Sequence, residues 1–170
     1  MLIVMAGLPG SGKSSVAGAL GRRLAAPVVS VDPIEAAMWR AGVARDQPTG
    51  LAAYVVAEAV AGGVLALGQT VIVDAVNAVE AAREQWRSLA GRSGVPMAFI
   101  EVVCSDPVVH RRRLEGRSRG IEGFPEPTWE AVERLRAEFA PWTDHRLVLD
   151  VVTDVSSNVT AAVEFLATVS

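Results

Sequence analysis

The sequence is poor in the residues that form disulfides and transition-metal sites. Its 170 residues include one cysteine, Cys104, and two histidines, His110 and His145, which are far apart along the chain. A single cysteine excludes an internal disulfide and a cluster of thiolate ligands, and it fits a reducing compartment. The two separated histidines give neither a metal-binding pair nor a histidine-based triad. We therefore expect a cytoplasmic protein without such sites.

An excess of basic charge and a membrane-spanning run are missing too. The formal net charge is −3 at pH 7, which gives no general attraction to nucleic acid or to anionic membranes. The apolar run near the start is too short for a signal peptide and follows no basic residues. A longer apolar stretch, 51–67, contains Glu58 and falls short of about 20 residues, so we interpret it as a buried crossover helix. These features argue against a membrane or nucleic-acid partner.

Lysine is nearly missing as well, since the chain has fifteen arginines but one lysine, Lys13. The guanine-binding motif of GTPases, Asn-Lys-x-Asp, needs a lysine, and none is available outside Lys13. The single lysine lies in the stretch GLPGSGKSS, residues 7–15, where a compact charge on a flexible stem is suitable. Its position points to this stretch as the functional centre.

Residues 7–15 fit the phosphate-binding pattern Gly-x-x-x-x-Gly-Lys-Ser at each fixed position. In such a loop, backbone N–H groups and the N-terminus of the next helix hold phosphate oxygens, and a Cβ atom on the glycines would block their approach. We expect Lys13 to reach the β- and γ-phosphates of ATP, with GTP as the alternative, and Ser14 to bind Mg²⁺. A glycine turn that binds nothing is the other interpretation. The predicted nucleotide-binding residues are Gly7, Leu8, Pro9, Gly10, Ser11, Gly12, Lys13, Ser14 and Ser15.

Strand and helix patterns alternate along the whole chain, which predicts one α/β domain over residues 1–170 with a parallel sheet and helices on both faces. Strands are predicted at 2–6, 28–32, 70–76, 97–105 and 146–152. Helices are predicted at 13–25, 33–41, 51–67, 79–93, 107–117, 128–140 and 156–169. The stretch 116–128 holds three glycines and two prolines, so we expect a mobile lid there.

Two carboxylates end predicted strands, where side chains face the ligand side of a parallel sheet. Asp32 is predicted to be the general base that accepts the proton of a substrate hydroxyl, and a helix cap before Pro33 is the alternative. Asp74 ends a strand in the manner of a Walker-B motif and is expected to hold Mg²⁺ with Ser14. In the alternative, Asp74 faces the substrate as the base and Asp32 assists the metal. Asn77 is a candidate substrate contact or a simple turn residue.

A basic cluster enters the predicted lid. Arg113 and Arg117 share one helix face, and we expect them to bind the phosphates and neutralise charge in the transition state. Arg119 is assigned to the substrate, and a solvated face paired with acidic residues is the alternative for the cluster. Trp39 and Arg40 are candidates for the wall of the acceptor pocket. Thr153 and Val155, after the last strand, are candidates for contacts with adenine.

These motifs together resemble the small ATP-binding P-loop kinases of the AAA type. The residues that carry the resemblance are GLPGSGKSS, the strand-ending Asp32, the stretch DAVN at 74–77 and the arm RRRLEGRSRG at 111–120. The group includes chloramphenicol phosphotransferase, zeta-toxin kinases, shikimate and gluconate kinases and polynucleotide 5′-kinases. The resemblance implies a three-layer P-loop NTPase fold, a five-stranded parallel sheet of order 2-3-1-4-5 and an arginine-bearing lid over ATP. It also implies that Asp32 is the general base. Shikimate kinase has an Asp-x-Asp motif where this chain has Asp32-Pro33-Ile34-Glu35, which argues against that substrate.

The predicted function is ATP- and Mg²⁺-dependent transfer of the γ-phosphate to a hydroxyl of a small molecule, such as an antibiotic, a sugar or a nucleoside. A nucleotide or polynucleotide 5′-end kinase is one alternative. A nucleotide-binding switch without an acceptor is another.

Overall fold

Five parallel strands form one sheet with helices on both faces, as predicted. The computed structural model describes residues 1–117, 120–152 and 154–169. The strands are β1 (Leu2–Ala6), β2 (Val28–Ser30), β3 (Val71–Asp74), β4 (Met97–Val103) and β5 (Arg146–Asp150). The helices are α1 (Lys13–Leu24), α2 (Val31–Arg40), α3 (Thr49–Ala66), α4 (Glu80–Ser93), α5 (Pro107–Gly116), α6 (Trp129–Glu138) and α7 (Val155–Leu166). The strand order is β2-β3-β1-β4-β5, which confirms the predicted fold class.

Strand β1 lies at the centre of the sheet, and all five of its residues are fully buried. It pairs with β3 on one side and β4 on the other. Successive side chains of a strand point to opposite faces, so Leu2 and Val4 pack under α3 and α4, whereas Ile3 and Met5 pack under α1 and α7. The phosphate-binding stretch therefore follows the central, fully buried strand of the sheet.

Helix α3 departs from the prediction of a buried crossover helix. One face packs on the sheet through three alanines and a leucine at intervals of four residues, Ala53, Ala57, Ala61 and Leu65. The opposite face exposes apolar side chains, including Leu51 at 67% and Val55 at 55%. By length and composition alone, α3 is also able to cross a membrane. Because nearly the whole stretch 51–67 is apolar, its sequence does not indicate which face of the helix is buried.

Strand β2 is shorter than predicted, because helix α2 begins at Val31. Asp32 therefore lies in the first helical turn and not on the strand. The next residue, Pro33, is pre-organised for a first helical turn, and a carboxylate there interacts favourably with the helix dipole. Strand β3 likewise ends at Asp74, two residues before the predicted end.

A fully buried cation, Arg83 of α4, joins that helix to the segment between α6 and β5. Its guanidinium donates hydrogen bonds to the carbonyl oxygens of Asn77 at 3.0 Å and of Ala140 and Pro141 at 2.9 Å. It also lies 3.7 Å from the centre of the Trp142 ring. These contacts satisfy a charge whose burial would otherwise be costly, and they fix the chain that leads into β5.

Candidate active site

The phosphate-binding loop joins β1 to α1 and has backbone angles that suit glycine. Gly7 has a φ of 141° and Gly12 a φ of 94°. A Cβ atom on Gly7 would lie 2.2 Å from the carbonyl oxygen of Val102, and one on Gly12 would lie 3.0 Å from Cγ2 of Val151. The structure thus adds a second reason for these glycines, since the loop packs too closely against β4 and the end of β5 to hold a side chain.

One cavity of about 560 Å³ collects most of the predicted site residues. Its predicted lining residues are Leu8, Pro9, Gly10, Gly12, Lys13, Ser14, Ser15, Asp32, Arg113, Arg117 and Val155. Sequence reasoning missed four further lining residues, Val76, Arg112, Gly116 and Val151. The cavity therefore runs from the loop to the end of β3, to the end of α5 and to the start of α7.

Gly7 and Ser11 line a second, smaller cavity of about 280 Å³, together with residues of β4 and α6. The Ser11 hydroxyl is buried and has no hydrogen-bond partner among the described residues. Its side chain therefore belongs to the back of the loop. The predicted phosphate contact at Ser11 stays a prediction that concerns its backbone N–H group.

Lys13 and Asp74 form an ion pair at the edge of the large cavity. Asp74 is 5% exposed, and its second oxygen accepts a hydrogen bond from Ser30 at 3.3 Å. Burial acts to raise the pKa of Asp74, but the Lys13 ammonium and the hydroxyls of Ser14 and Ser30 outweigh it and hold the pKa below its usual value. Asp74 is therefore ionised at neutral pH and is held close to Ser14.

The donor set near Ser14 and Asp74 suits a magnesium ion. A serine hydroxyl and a carboxylate are oxygen ligands, and Mg²⁺ in phosphoryl-transfer sites uses one or two carboxylates together with substrate phosphates. Across residues 1–117, 120–152 and 154–169, no group of three or more His, Cys, Asp or Glu side chains could hold a metal ion. Phosphate oxygens of a nucleotide would supply the remaining ligands of a Mg²⁺ ion held at Ser14 and Asp74.

Asn77 does not have the predicted position for a substrate contact. It is fully buried, with a φ of 52°, and its side-chain amide donates to the carbonyl oxygen of Met5 at 2.8 Å. Its amide oxygen accepts from Trp86 at 2.8 Å, and its backbone N–H donates to the hydroxyl of Tyr54 at 3.1 Å. Burial raises the pKa of Tyr54 to about 12, so this hydroxyl stays protonated. Asn77 is a structural residue that ties β1, α3 and α4 together.

The two arginines predicted to bind phosphates both reach the cavity. Arg113 lies on α5, with its guanidinium 3.8 Å from the Sγ atom of Cys104. Arg117 follows α5 and forms a 2.8 Å ion pair with Glu126. Arg119 and Thr153, which were assigned to the substrate and to adenine, lie outside the described residues.

Trp39 and Arg40 contact residues 120–127 of the predicted lid, which we call the lid segment. The Trp39 ring stacks on Phe124 with a centroid distance of 5.2 Å, and its indole N–H donates to Thr49 at 3.0 Å. Arg40 donates to the carbonyl oxygen of Glu122 at 3.3 Å, and Arg45 donates to that of Gly123 at 2.6 Å. These contacts hold the lid segment against α2, and a direct contact with an acceptor stays a prediction.

Known proteins share the sequence pattern and the fold of this chain. Residues 2–142 match the family model described as AAA domain, and no curated protein sequence matches. One similar structure is Mycobacterium tuberculosis APS kinase CysC in complex with AMPPNP and APS, at 19% identity over 98% of this chain and 97% of that chain, with a TM-score of 0.70.

Two further structures are similar over nearly their whole length. Chaetomium thermophilum Kti12 in complex with ADP-AlF3 is 20% identical over 97% of this chain and 98% of that chain, with a TM-score of 0.73. A gluconokinase from Sinorhizobium meliloti 1021 is 20% identical over 97% and 90% of the two chains, with a TM-score of 0.66. At this level of identity, the similarities establish a shared fold.

Proposed function

Because the chain belongs to the AAA-domain family, we propose that it is a P-loop kinase that transfers the γ-phosphate of ATP to a hydroxyl of a small molecule. One observation carries the proposal. The phosphate-binding loop, a carboxylate and three arginines all line one cavity of about 560 Å³, which lies within the usual range for ligand sites. The nucleotide analogues named in the APS kinase and Kti12 complexes support ATP as the donor.

The loop and α1 hold the phosphates in this proposal. Inward N–H groups and the positive end of the helix dipole attract the triphosphate, and the Lys13 ammonium lies at the cavity edge to reach its terminal groups. Val151 and Val155, at the other end of the cavity, provide apolar contact for the base. Ser14 and Asp74 would hold Mg²⁺, which neutralises phosphate charge when bound.

Asp32 is the better candidate for the general base. It lines the cavity, whereas Asp74 is engaged by Lys13 and Ser30. In the reaction, the acceptor oxygen attacks the γ-phosphorus, the bond to the β-phosphate oxygen breaks, and Asp32 takes the hydroxyl proton. Arg113 and Arg117 stabilise the charge that develops on the transferred group.

Two observations support a small-molecule acceptor. The gluconokinase and the APS kinase are named for small-molecule acceptors, and this chain has a net charge of −3, which disfavours a polynucleotide acceptor. We therefore propose a cytoplasmic enzyme that phosphorylates a small alcohol. The experiment below distinguishes such an enzyme from a nucleotide-binding switch without an acceptor.

A screen of pooled metabolites and antibiotics with γ-labelled ATP tests this function. We expect label transfer by the wild type, none by Lys13→Ala or Asp32→Asn, and normal transfer by Asp46→Asn, which changes an exposed acid between α2 and α3. Calorimetry with Mg²⁺ and AMPPNP runs in parallel. Nucleotide binding without any Asp32-dependent transfer would favour the switch, and failure of the wild type to bind nucleotide would overturn the proposal.

A further inference from the structure

We propose that His110 is a positioning residue that orients the phosphate-binding loop and makes nucleotide affinity sensitive to pH. This inference rests on the proposed function, because it assumes that the loop binds a nucleotide. His110 lies on α5 and is 1% exposed. Its ring connects α6 to the phosphate-binding loop, which lies about a hundred residues earlier in the chain. Helices α5 and α6 flank the lid segment.

The hydrogen bonds of His110 define its protonation state. Ring nitrogen Nδ1 lies 3.1 Å from an Nη atom of Arg136, and Nε2 lies 2.8 Å from the carbonyl oxygen of Pro9. A guanidinium can only donate, so Nδ1 must accept. A carbonyl can only accept, so Nε2 must carry the proton and donate. His110 is therefore a neutral imidazole with a donor directed at the loop.

The bond to Pro9 orients the N–H group of the next residue. In a planar trans peptide the carbonyl of one residue and the N–H of the next point in opposite directions. When His110 holds the Pro9 carbonyl outside the loop, the Gly10 N–H is turned toward the cavity that Gly10 lines. A donor on the outer side of the loop thus prepares an amide for a phosphate oxygen on the inner side.

Close packing keeps the ring in this position. The His110 ring meets Trp129 edge to face with a centroid distance of 5.3 Å. On the loop side, a Cβ atom on Gly10 would lie 3.2 Å from the His110 ring, so the loop backbone is in close contact with the imidazole. The ring cannot turn without losing both hydrogen bonds.

Protonation would break this arrangement. A proton on Nδ1 would face the Arg136 guanidinium, and both groups would then be donors with positive charge. Burial lowers the pKa of His110, the bond to Pro9 acts in the opposite direction, and Arg136 lowers it further. The other titratable or charged groups that face the ring or its small cavity are Glu133 of α6, Arg113 of α5, and Glu101 and Cys104 at the end of β4.

The sign of the pH effect follows from the lowered pKa. His110 is neutral in the folded protein at neutral pH, so the bridge is intact above the ordinary histidine value of about 6.5. The stabilisation is lost as the pH falls through the lower pKa of the folded state. Nucleotide affinity should decrease in the same range, because the Gly10 amide is no longer held.

The experiment measures AMPPNP affinity with Mg²⁺ by calorimetry between pH 5 and pH 8. We expect His110→Phe to bind about tenfold more weakly than the wild type at pH 7.5, the effect of one lost hydrogen bond to the loop. His110→Gln supplies an amide donor without a titrating ring, so it should recover most of the affinity and show a flatter pH profile. His145→Gln changes the other histidine, which is exposed, and should match the wild type.

Two further measurements keep the inference testable if His110→Phe fails to fold. The chain has two histidines, so NMR of the His145→Gln variant follows the titration of His110 alone. Arg136→Met should raise the titration midpoint of His110 and shift the affinity profile to higher pH.

Unchanged affinity in His110→Phe, or a loss of thermal stability with no change in affinity, would overturn the inference. A wild type that binds AMPPNP but transfers no phosphate would overturn the kinase proposal and leave this comparison valid. A wild type that binds no nucleotide would overturn both.

Discussion

Two cations, the part-buried Lys13 and the fully buried Arg83, have different roles in this fold. Lys13 pairs with the carboxylate of Asp74 and lies at the edge of a cavity. Arg83 is fully enclosed and donates to three backbone carbonyls from two parts of the chain. Burial of a charge therefore does not identify a functional site by itself. The informative difference is whether its partners leave the charge next to open space.

The largest effect is expected when the ammonium at the cavity is removed. Lys13→Met should lower phosphoryl transfer by about a hundredfold to a thousandfold, because it deletes a group that stabilises transition-state charge. Steady-state kinetics with saturating acceptor measures this loss per folded molecule, and thermal unfolding checks that the variant is folded at the assay temperature. A variant that keeps more than a tenth of wild-type turnover would contradict the functional role of Lys13.

Deletion of the enclosed charge should have the opposite result. Arg83→Met leaves several buried carbonyl groups without donors and should lower the free energy of unfolding by about 3 kcal/mol, while turnover per folded molecule stays unchanged. Arg87→Met is the matched control on the same helix. Its 26% exposed side chain forms surface ion pairs, so we expect a cost of about 1 kcal/mol or less. Urea unfolding measures both, and equal costs for the two variants would show that the carbonyl network around Arg83 stabilises little.

The smallest effect concerns the partner of Lys13. The pKa of Asp74 in the folded protein lies below its usual value of about 3.9, so its pairing stabilises the fold above about pH 4 and is lost as the pH falls through the lower folded value. Between pH 4 and pH 2, wild-type stability should therefore fall more steeply than that of Asp74→Asn. Acid titrations monitored by circular dichroism test this, with the exposed Asp46→Asn as control. Parallel curves for wild type and Asp74→Asn would contradict the paired state of Asp74.

The contrast between the two cations also marks what sequence can reveal. The sequence identifies Lys13 because its loop is a local pattern between an apolar strand and a helix. The alternation of strand and helix patterns along the chain likewise predicts the parallel sheet. Arg83 carries no comparable signal, since its partners Ala140 and Pro141 lie 57 and 58 residues away. His110 has the same difficulty, because Pro9 is 101 residues away.

Asn77 shows a different limit. A polar residue after a strand that ends in aspartate is typical of a ligand-binding edge, and its position supported that interpretation. The structure instead encloses it beneath Tyr54 and Trp86. The packing of α3 and α4 decides whether such an amide faces a ligand or the protein interior. The composition of these two helices does not indicate how they pack.

Because lysine is scarce in this chain, the phosphate-binding loop can be labelled selectively through its lysine. Lys13 is the one side-chain amine in the chain, so an amine-selective acylating reagent would modify a single side chain, at the place where the donor phosphates are proposed to bind. The ion pair with Asp74 should slow that modification, and a nucleotide in the cavity should slow it further. The extent of acylation at Lys13, read from a peptide map that separates it from the α-amine of Met1, would then report occupancy of the site without an engineered probe or knowledge of the acceptor.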